Sequence, residues 1–200
     1  MSLQRFSRSA LAETPWKNGG GTTQEVVCFP PGAGLDDFDW RVSIATIAMG
    51  GPFSVFRGVD RTIMLLEGDG VRLQSADFDH VLDAPHQPFA FDGDAAVECH
   101  LLGGLSTDFN LMVRRARGQA TLRVISEMAV LDRSAHGLLM TLDGQWRVGG
   151  GTLKQGQGVW WTEEPHTWTV KPASRGARLA VVQWRPDDAV PALDDLHIDP

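Results

Sequence analysis

The sequence predicts an all-β protein, and three observations support this fold class. Short alternating or apolar runs recur between turn signals, which is typical of strands. Gly 22 and Pro 11 supply many turns, and no segment shows a long apolar period of 3.6 residues. A weak internal similarity at offsets of roughly 70 to 76 residues indicates two related halves. Together they favour closed barrels or sandwiches, most simply two small barrels sharing one sheet system.

The strands can be placed in order along the chain. In the first half they are predicted at residues 40–45, 61–66, 71–73, 88–91 and 96–102. In the second half they are predicted at residues 137–142, 145–148, 159–162, 167–170 and 179–184. Short turns are expected at 9–13 and 189–196, and the acidic segment from 185 onward is expected to be solvated and partly mobile.

Composition excludes several classes of partner. The net charge of −7 disfavours general nucleic-acid binding, because such binding requires neutralisation of phosphates. No apolar run reaches the roughly 18 residues of a membrane helix, so no membrane association is expected. Cys28 and Cys99 provide no disulfide framework, and the first residues contain no apolar signal core. We therefore expect a cytoplasmic protein with reduced thiols.

Residues 15–23 (PWKNGGGTT) form the most informative segment of the chain. Glycines allow a backbone to turn tightly and bring its N–H groups close to a ligand, while Lys17 adds a point charge. Trp16, Lys17, Asn18 and Thr22 are therefore candidate ligand-binding residues in one wall of an anion pocket. The alternative is a glycine turn beside a buried tryptophan.

Several motifs in this order resemble the HutD/Ves family. They are residues 15–23, 38–45 (FDWRVSIA), 51–54 (GPFS), 58–61 (GVDR) and 108–115 (DFNLMVRR). The resemblance implies a bicupin, with two double-stranded β-helix barrels in one chain, divided here into residues 1–118 and 119–200. It also implies an association with bacterial histidine utilisation, which HutD proteins are thought to restrain, whereas Ves-type relatives belong to stress responses.

The residues give little support to metal-dependent or nucleophilic catalysis. Many cupins hold a metal through a His-x-His pair, a Glu and a later His, but none of the six histidines forms such a pair. The sequence contains no Gly-x-Ser-x-Gly elbow and no P-loop. We therefore expect neither metal nor cofactor, and we assign no catalytic residue. Metal-free catalysis through Glu25, His100 or Asp108 remains open.

Anion recognition has more support. A guanidinium can grip a carboxylate bidentately, and Arg41 and Arg61 each lie in one of the family-like motifs. Arg41 and Ser43 share one face of a strand; they either enter a pocket, or Arg41 pairs with a structural carboxylate such as Asp39 or Asp60. Arg61 has the same two alternatives. Asn110 either binds an amide or formyl group or is a turn residue bonded to the backbone.

These inferences lead to one leading function and two alternatives. The leading hypothesis is a metal-free bicupin that binds a small anionic metabolite, such as N-formylglutamate or urocanate, and modulates histidine utilisation. The first alternative is a cupin-type isomerase or hydrolase that acts on a small acid derived from an amino acid. The second is a protein-binding module that uses the tryptophans of the second half. A homodimer is compatible with all three.

Overall fold

The computed structural model describes residues 2–187, which form β-strands joined by turns and one short 3-10 helix, Arg8–Ala10. The turn predicted at 189–196 and most of the acidic tail lie outside the described residues. The strands are β1 (Ser2–Ser7), β2 (Glu13–Pro15), β3 (Gly21–Phe29), β4 (Trp40–Ile47), β5 (Gly51–Pro52), β6 (Val59–Gly68), β7 (Val71–Gln74), β8 (Asp79–Leu82), β9 (Pro88–Asp92), β10 (Glu98–Leu101), β11 (Ser106–Arg114), β12 (Gly118–Ile125), β13 (Ala129–Val130), β14 (His136–Asp143), β15 (Gln145–Val148), β16 (Gly151–Lys154), β17 (Gln157–Thr162), β18 (Thr169–Pro172) and β19 (Arg178–Pro186).

The prediction of an all-β chain is confirmed. Each of the ten predicted strands is present, and its ends lie within two residues of the predicted ends. The strands without a counterpart among the predicted ones are β1, β2, β3, β5, β8, β11, β12, β13 and β16. Residues 2–187 contain no helix with the length and apolar character needed to cross a bilayer.

The strands form two pairs of sheets with matching order. The first pair consists of a six-stranded sheet, β2-β3-β4-β11-β6-β9, and a four-stranded sheet, β5-β10-β7-β8. The second pair consists of a five-stranded sheet, β1-β17-β14-β19-β12, and a four-stranded sheet, β13-β18-β15-β16. The order β4-β11-β6-β9 therefore corresponds to β12-β19-β14-β17, and the two small sheets correspond strand for strand. Strand β1 is an addition, because it crosses to the later sheet and pairs with β17.

Side-chain alternation separates two environments around each large sheet. One apolar cluster combines Trp40, Val42 and Ile44 of β4 with residues of β14 and β19, so it joins the two halves. A second cluster, which includes Ile63 and Leu65 of β6, lies between the two sheets of the first half. A third fills the corresponding space of the second half. Residues of β4, β6 and β11 that point away from the joint cluster consequently face the interior of the first half.

Candidate functional site

Arg41 occupies the interior of the first half, on the face of β4 opposite Trp40 and Val42. It is buried, its Nε donates to Oε2 of Glu25 at 2.8 Å, and its Nη1 donates to Oγ of Ser43 at 3.1 Å. The prediction that Arg41 and Ser43 share a strand face is thus confirmed. Arg41 thus pairs with a carboxylate, as the alternative interpretation held, but the partner is Glu25 and not Asp39 or Asp60. Strand β3 lies directly beside β4 in the sheet, which brings Glu25 opposite Ser43.

Arg61 is buried without a carboxylate partner in the described part of the chain. Phe53, Phe56 and Phe91 surround its guanidinium, with ring centroids 5.0 to 5.6 Å from Cζ. Its Nη2 donates to Oδ1 of Asn110 at 3.2 Å, while its Nε is buried and has no hydrogen-bond partner. Burial, and secondarily the charge of Arg41, lowers the pKa of Arg61 to about 10. A buried charge without a counter-ion is costly, so this geometry favours an anionic ligand.

Asn110 lies in the middle of β11, between β4 and β6, and not in a turn as the alternative interpretation held. It faces Ser43 across one strand pair and Ile63 across the other. Its Oδ1 accepts from Arg61, and this amide oxygen is a weaker compensating group than a carboxylate. We call Glu25, Arg41, Ser43, Arg61 and Asn110 the arginine cluster.

Asp108 lies two residues before Asn110 on the same face of β11. Its carboxyl group is fully buried, and neither oxygen has a hydrogen-bond partner of acceptable geometry among residues 2–187. Burial raises the pKa of Asp108 to about 7, and the nearby Ser106 hydroxyl opposes this increase. The carboxyl group therefore exchanges a proton near neutral pH, inside the same half as the arginine cluster.

The second half provides an internal comparison for the arginine cluster. Strands β6 and β14 each contain a bulge, with Leu66 and Leu142 as the respective extra residues, which aligns the two strands. With this alignment Arg61 corresponds to Gly137, and a Cβ at Gly137 would lie 2.5 Å from the Trp161 ring.

Three further interior positions hold uncharged residues in the second half, whereas Ser43 corresponds to Arg123, which is exposed. Asn110 corresponds to Val181 and Asp108 to Leu179, both fully buried in apolar surroundings. Arg41 corresponds to Thr121. The same strand arrangement therefore forms with a closely packed apolar interior, and the charges of the first half are not a requirement of the fold.

The glycine-rich segment forms a tight turn at one edge of the first half. The indole Nε1 of Trp16 donates to Oγ1 of Thr23 at 2.8 Å, and the ring packs against the apolar cluster that contains Ile63 and Leu65. Gly21 must lack a side chain, because a Cβ there would lie 2.2 Å from the carbonyl oxygen of Thr46.

The remaining candidates of this segment do not reach the arginine cluster. Lys17 and Asn18 are exposed, and Asn18 uses its Oδ1 to accept from the backbone N–H of Gly20 at 3.0 Å. Thr22 and Glu25 are three residues apart on β3, so their side chains point to opposite faces. The structure thus brings together Arg41, Arg61 and Asn110 and leaves these three polar residues outside.

The described residues do not fit the metal site that a cupin fold implies. Residues 2–187 include no group of three or more His, Cys, Asp or Glu side chains arranged to hold a metal ion. In the first half, the interior also holds the carboxyl group of Asp108 and the thiol of Cys99, but the other polar groups there are guanidinium, amide and hydroxyl groups, which are poor ligands for divalent transition metals. We therefore derive no chemistry from a metal.

A cleft of about 740 Å³ opens elsewhere, between the two halves. The ion pair of Arg8 with Glu67, at 2.6 Å, lines it, and Nδ1 of His86 lies 3.3 Å from Asp143. Burial lowers the pKa of His86, which opposes its protonation. Arg8, the one arginine or lysine among the described residues that line the cleft, is paired, so the cleft lacks the uncompensated cation that distinguishes Arg61.

Comparison with known proteins places the chain in a family. A curated relative, Protein Ves of Citrobacter koseri, is 40% identical over 186 residues, which cover 92% of this chain and 96% of the relative. The solved structure of HutD from Pseudomonas fluorescens SBW25, in a formate condition, is 29% identical with a TM-score of 0.83 and covers 93% of this chain and 100% of its own.

A cupin 2 conserved barrel domain protein from Leptotrichia buccalis is 9% identical with a TM-score of 0.59, covering 91% of this chain and 96% of its own. That likeness concerns the fold alone, which is cupin-like. The HutD family model matches residues 8–180. On these grounds the chain belongs to the HutD family.

Proposed function

We propose that the chain is a bicupin whose first half binds a small carboxylated metabolite without a metal. The matching strand orders of the two pairs of sheets support the bicupin arrangement. The observation that carries the binding proposal is Arg61, a buried guanidinium with three aromatic rings and one amide around it and no carboxylate. A ligand carboxylate at this position supplies the missing negative charge.

The arginine cluster has the chemistry that such a ligand requires. Arg61 forms the charge-assisted contact, Arg41 adds a second positive charge nearby, and the amide of Asn110 and hydroxyl of Ser43 fix the orientation. The aromatic rings around Arg61 keep water away, which strengthens the electrostatic attraction. Lys17, exposed on the glycine-rich turn, contributes only longer-range attraction.

N-Formylglutamate and urocanate are the candidate ligands, and binding modulates histidine utilisation. Membership in the HutD family supports this context. The test is titration calorimetry with N-formylglutamate, urocanate and glutamate against the wild type and Arg61→Met. At least one acid should bind the wild type, and the variant should lose tenfold or more in affinity, because a charge-assisted contact contributes about 1.5 to 3 kcal/mol. Equal affinities in the two proteins would contradict the assignment.

One observation favours a second candidate function, an isomerase or hydrolase. Asp108 is a buried carboxyl group with a pKa raised to about 7, which suits a general acid or base at neutral pH. Glu25 is engaged by Arg41 and His100 is exposed, so Asp108 is the preferred catalytic residue in this scheme. NMR of the same acids incubated with the protein tests it. Turnover that disappears in Asp108→Asn would establish catalysis, and unchanged spectra would leave binding alone.

A further inference from the structure

The two arginines of the cluster differ in how their charges are compensated. Both face Met112 across neighbouring strand pairs, Arg41 from β4 and Arg61 from β6. Their charges are close enough for Arg41 to contribute to the lowered pKa of Arg61. Arg41 has the carboxylate of Glu25 at 2.8 Å, whereas the contacts of Arg61 with residues 2–187 are three aromatic rings and the amide of Asn110, with no carboxylate.

The net charge of the cluster follows from these contacts. Two guanidiniums and one carboxylate leave a single uncompensated positive charge, located at Arg61. Asp108 adds at most part of a negative charge near neutral pH, since its pKa is raised to about 7. A ligand with one carboxylate neutralises this charge. A second carboxylate would have no unpaired arginine in the cluster, because Arg41 is paired with Glu25, and Glu25 would repel it.

The position of Glu25 suits control of a ligand better than stabilisation of the fold. Its side chain is 52% exposed, so it lies at the boundary between the interior and solvent. The register of β3 shifts between Glu25 and Val27, and such bulges commonly redirect a side chain. The second half has no counterpart, because β12, which corresponds to β4, is the last strand of its sheet.

We propose that Glu25 determines how many carboxylates the ligand carries. Because it pairs with Arg41, the cluster selects monocarboxylates over dicarboxylates. The proposal rests on the proposed function, because it concerns the same site. Among the acids named above, urocanate has one carboxylate and N-formylglutamate has two. Repulsion between Glu25 and a second carboxylate of the ligand, reduced by solvent screening, should weaken binding by about tenfold.

The experiment compares two ligands of nearly identical shape, N-formylglutamate and N-formylglutamine, which differ by one carboxylate. Calorimetry should show that wild type binds N-formylglutamine about tenfold more tightly. In Glu25→Gln, N-formylglutamate should gain about tenfold and remove this preference, while N-formylglutamine should change by less than threefold. Glu67→Gln is the matched control, since Glu67 also pairs with an arginine, Arg8, but outside the cluster. This control should keep the wild-type ratio.

The outcomes separate this inference from the proposed function. Binding that requires Arg61 but shows the same ligand ratio in wild type and Glu25→Gln would overturn the role of Glu25 alone. Absence of binding in wild type by both of these ligands and also by urocanate and glutamate, or binding that persists in Arg61→Met, would overturn the proposed function itself. Melting temperatures establish that all variants are folded, and Glu25→Gln retains an acceptor for Arg41.

Discussion

Arg61→Met tests whether the buried guanidinium is present for ligand binding or for stability. The lowering of its pKa from 12.5 to about 10 corresponds to about 3 kcal/mol of cost for holding the charged form in the folded protein. Because the pKa is lowered, this cost is fully present at neutral pH and disappears only as the pH rises through and above 10. Methionine has a similar length and no charge, so it removes the cost without leaving a large cavity.

Opposing contributions reduce the expected gain. The substitution removes the hydrogen bond to Asn110, worth about 1 kcal/mol, and three cation–π contacts, together worth about 2 kcal/mol. Contacts of the methionine sulfur with the same rings return about 1 kcal/mol. The free energy of unfolding should thus rise by about 1 kcal/mol, which is a melting temperature higher by about 2 to 4 °C.

The assay is thermal and urea unfolding of wild type, Arg61→Met and a control, Arg115→Met. Arg115 is a compensated arginine, because it pairs with Asp60, Asp92 and Asp94. Its replacement should lower the melting temperature, since three carboxylates are then left close together, and should leave acid binding unchanged. A fall of 2 kcal/mol or more in the unfolding free energy of Arg61→Met would refute the reasoning, because Arg61 would then stabilise the fold.

Three other predictions concern Asp108, Gly137 and Lys17. Because the pKa of Asp108 is raised, the wild type should lose up to about 4 kcal/mol of unfolding free energy relative to Asp108→Asn as the pH rises from about 4 through 7. Urea unfolding of both proteins at pH 4 and pH 8 measures this difference, and parallel pH profiles would contradict it. Gly137→Ala should lower the unfolding free energy by about 2 kcal/mol or more, since its Cβ would contact the Trp161 ring, and wild-type stability by calorimetry would contradict this packing. Lys17→Ala should weaken acid binding by about threefold at low salt and less at high salt, because the side chain is exposed; a salt-independent tenfold loss would place Lys17 in direct contact with the ligand.

Local pattern was sufficient to predict ten of the strands and the faces of their side chains, but it missed long strands such as β3, β11 and β12. The alternation predicted that Arg41 and Ser43 share a face, and Trp40 and Val42, on the opposite face, are buried in the cluster that joins the halves. The predicted similarity at an offset of up to 76 residues agrees with the structure, since residues 67–68 at the end of β6 align with residues 143–144 at the end of β14. Strand β1 was missed, since its pairing with β17 depends on a sheet assembled far along the sequence.

The candidate site was predicted only in part, because it depends on pairings between distant strands. The sequence singled out Arg41, Arg61 and Asn110, which the fold brings together. It did not indicate Glu25 as the partner of Arg41, since β3 was not recognised as the neighbouring strand and the bulge after Glu25 leaves no clear pattern. The exposure of Lys17 also escaped prediction, because residue types alone do not say which way a glycine turn projects.

Nitrogen-15 NMR of the arginine side chains is the most direct test of the claim that a ligand carboxylate neutralises the Arg61 guanidinium. The Nε–H of Arg61 is buried and has no hydrogen-bond partner, so its resonance should be distinct, and Arg61→Met assigns it. Titration with N-formylglutamine should shift this resonance with the dissociation constant found by calorimetry, while that of Arg115 stays unchanged. A saturating calorimetric signal with no change at Arg61 would contradict the claim that a ligand carboxylate neutralises this guanidinium.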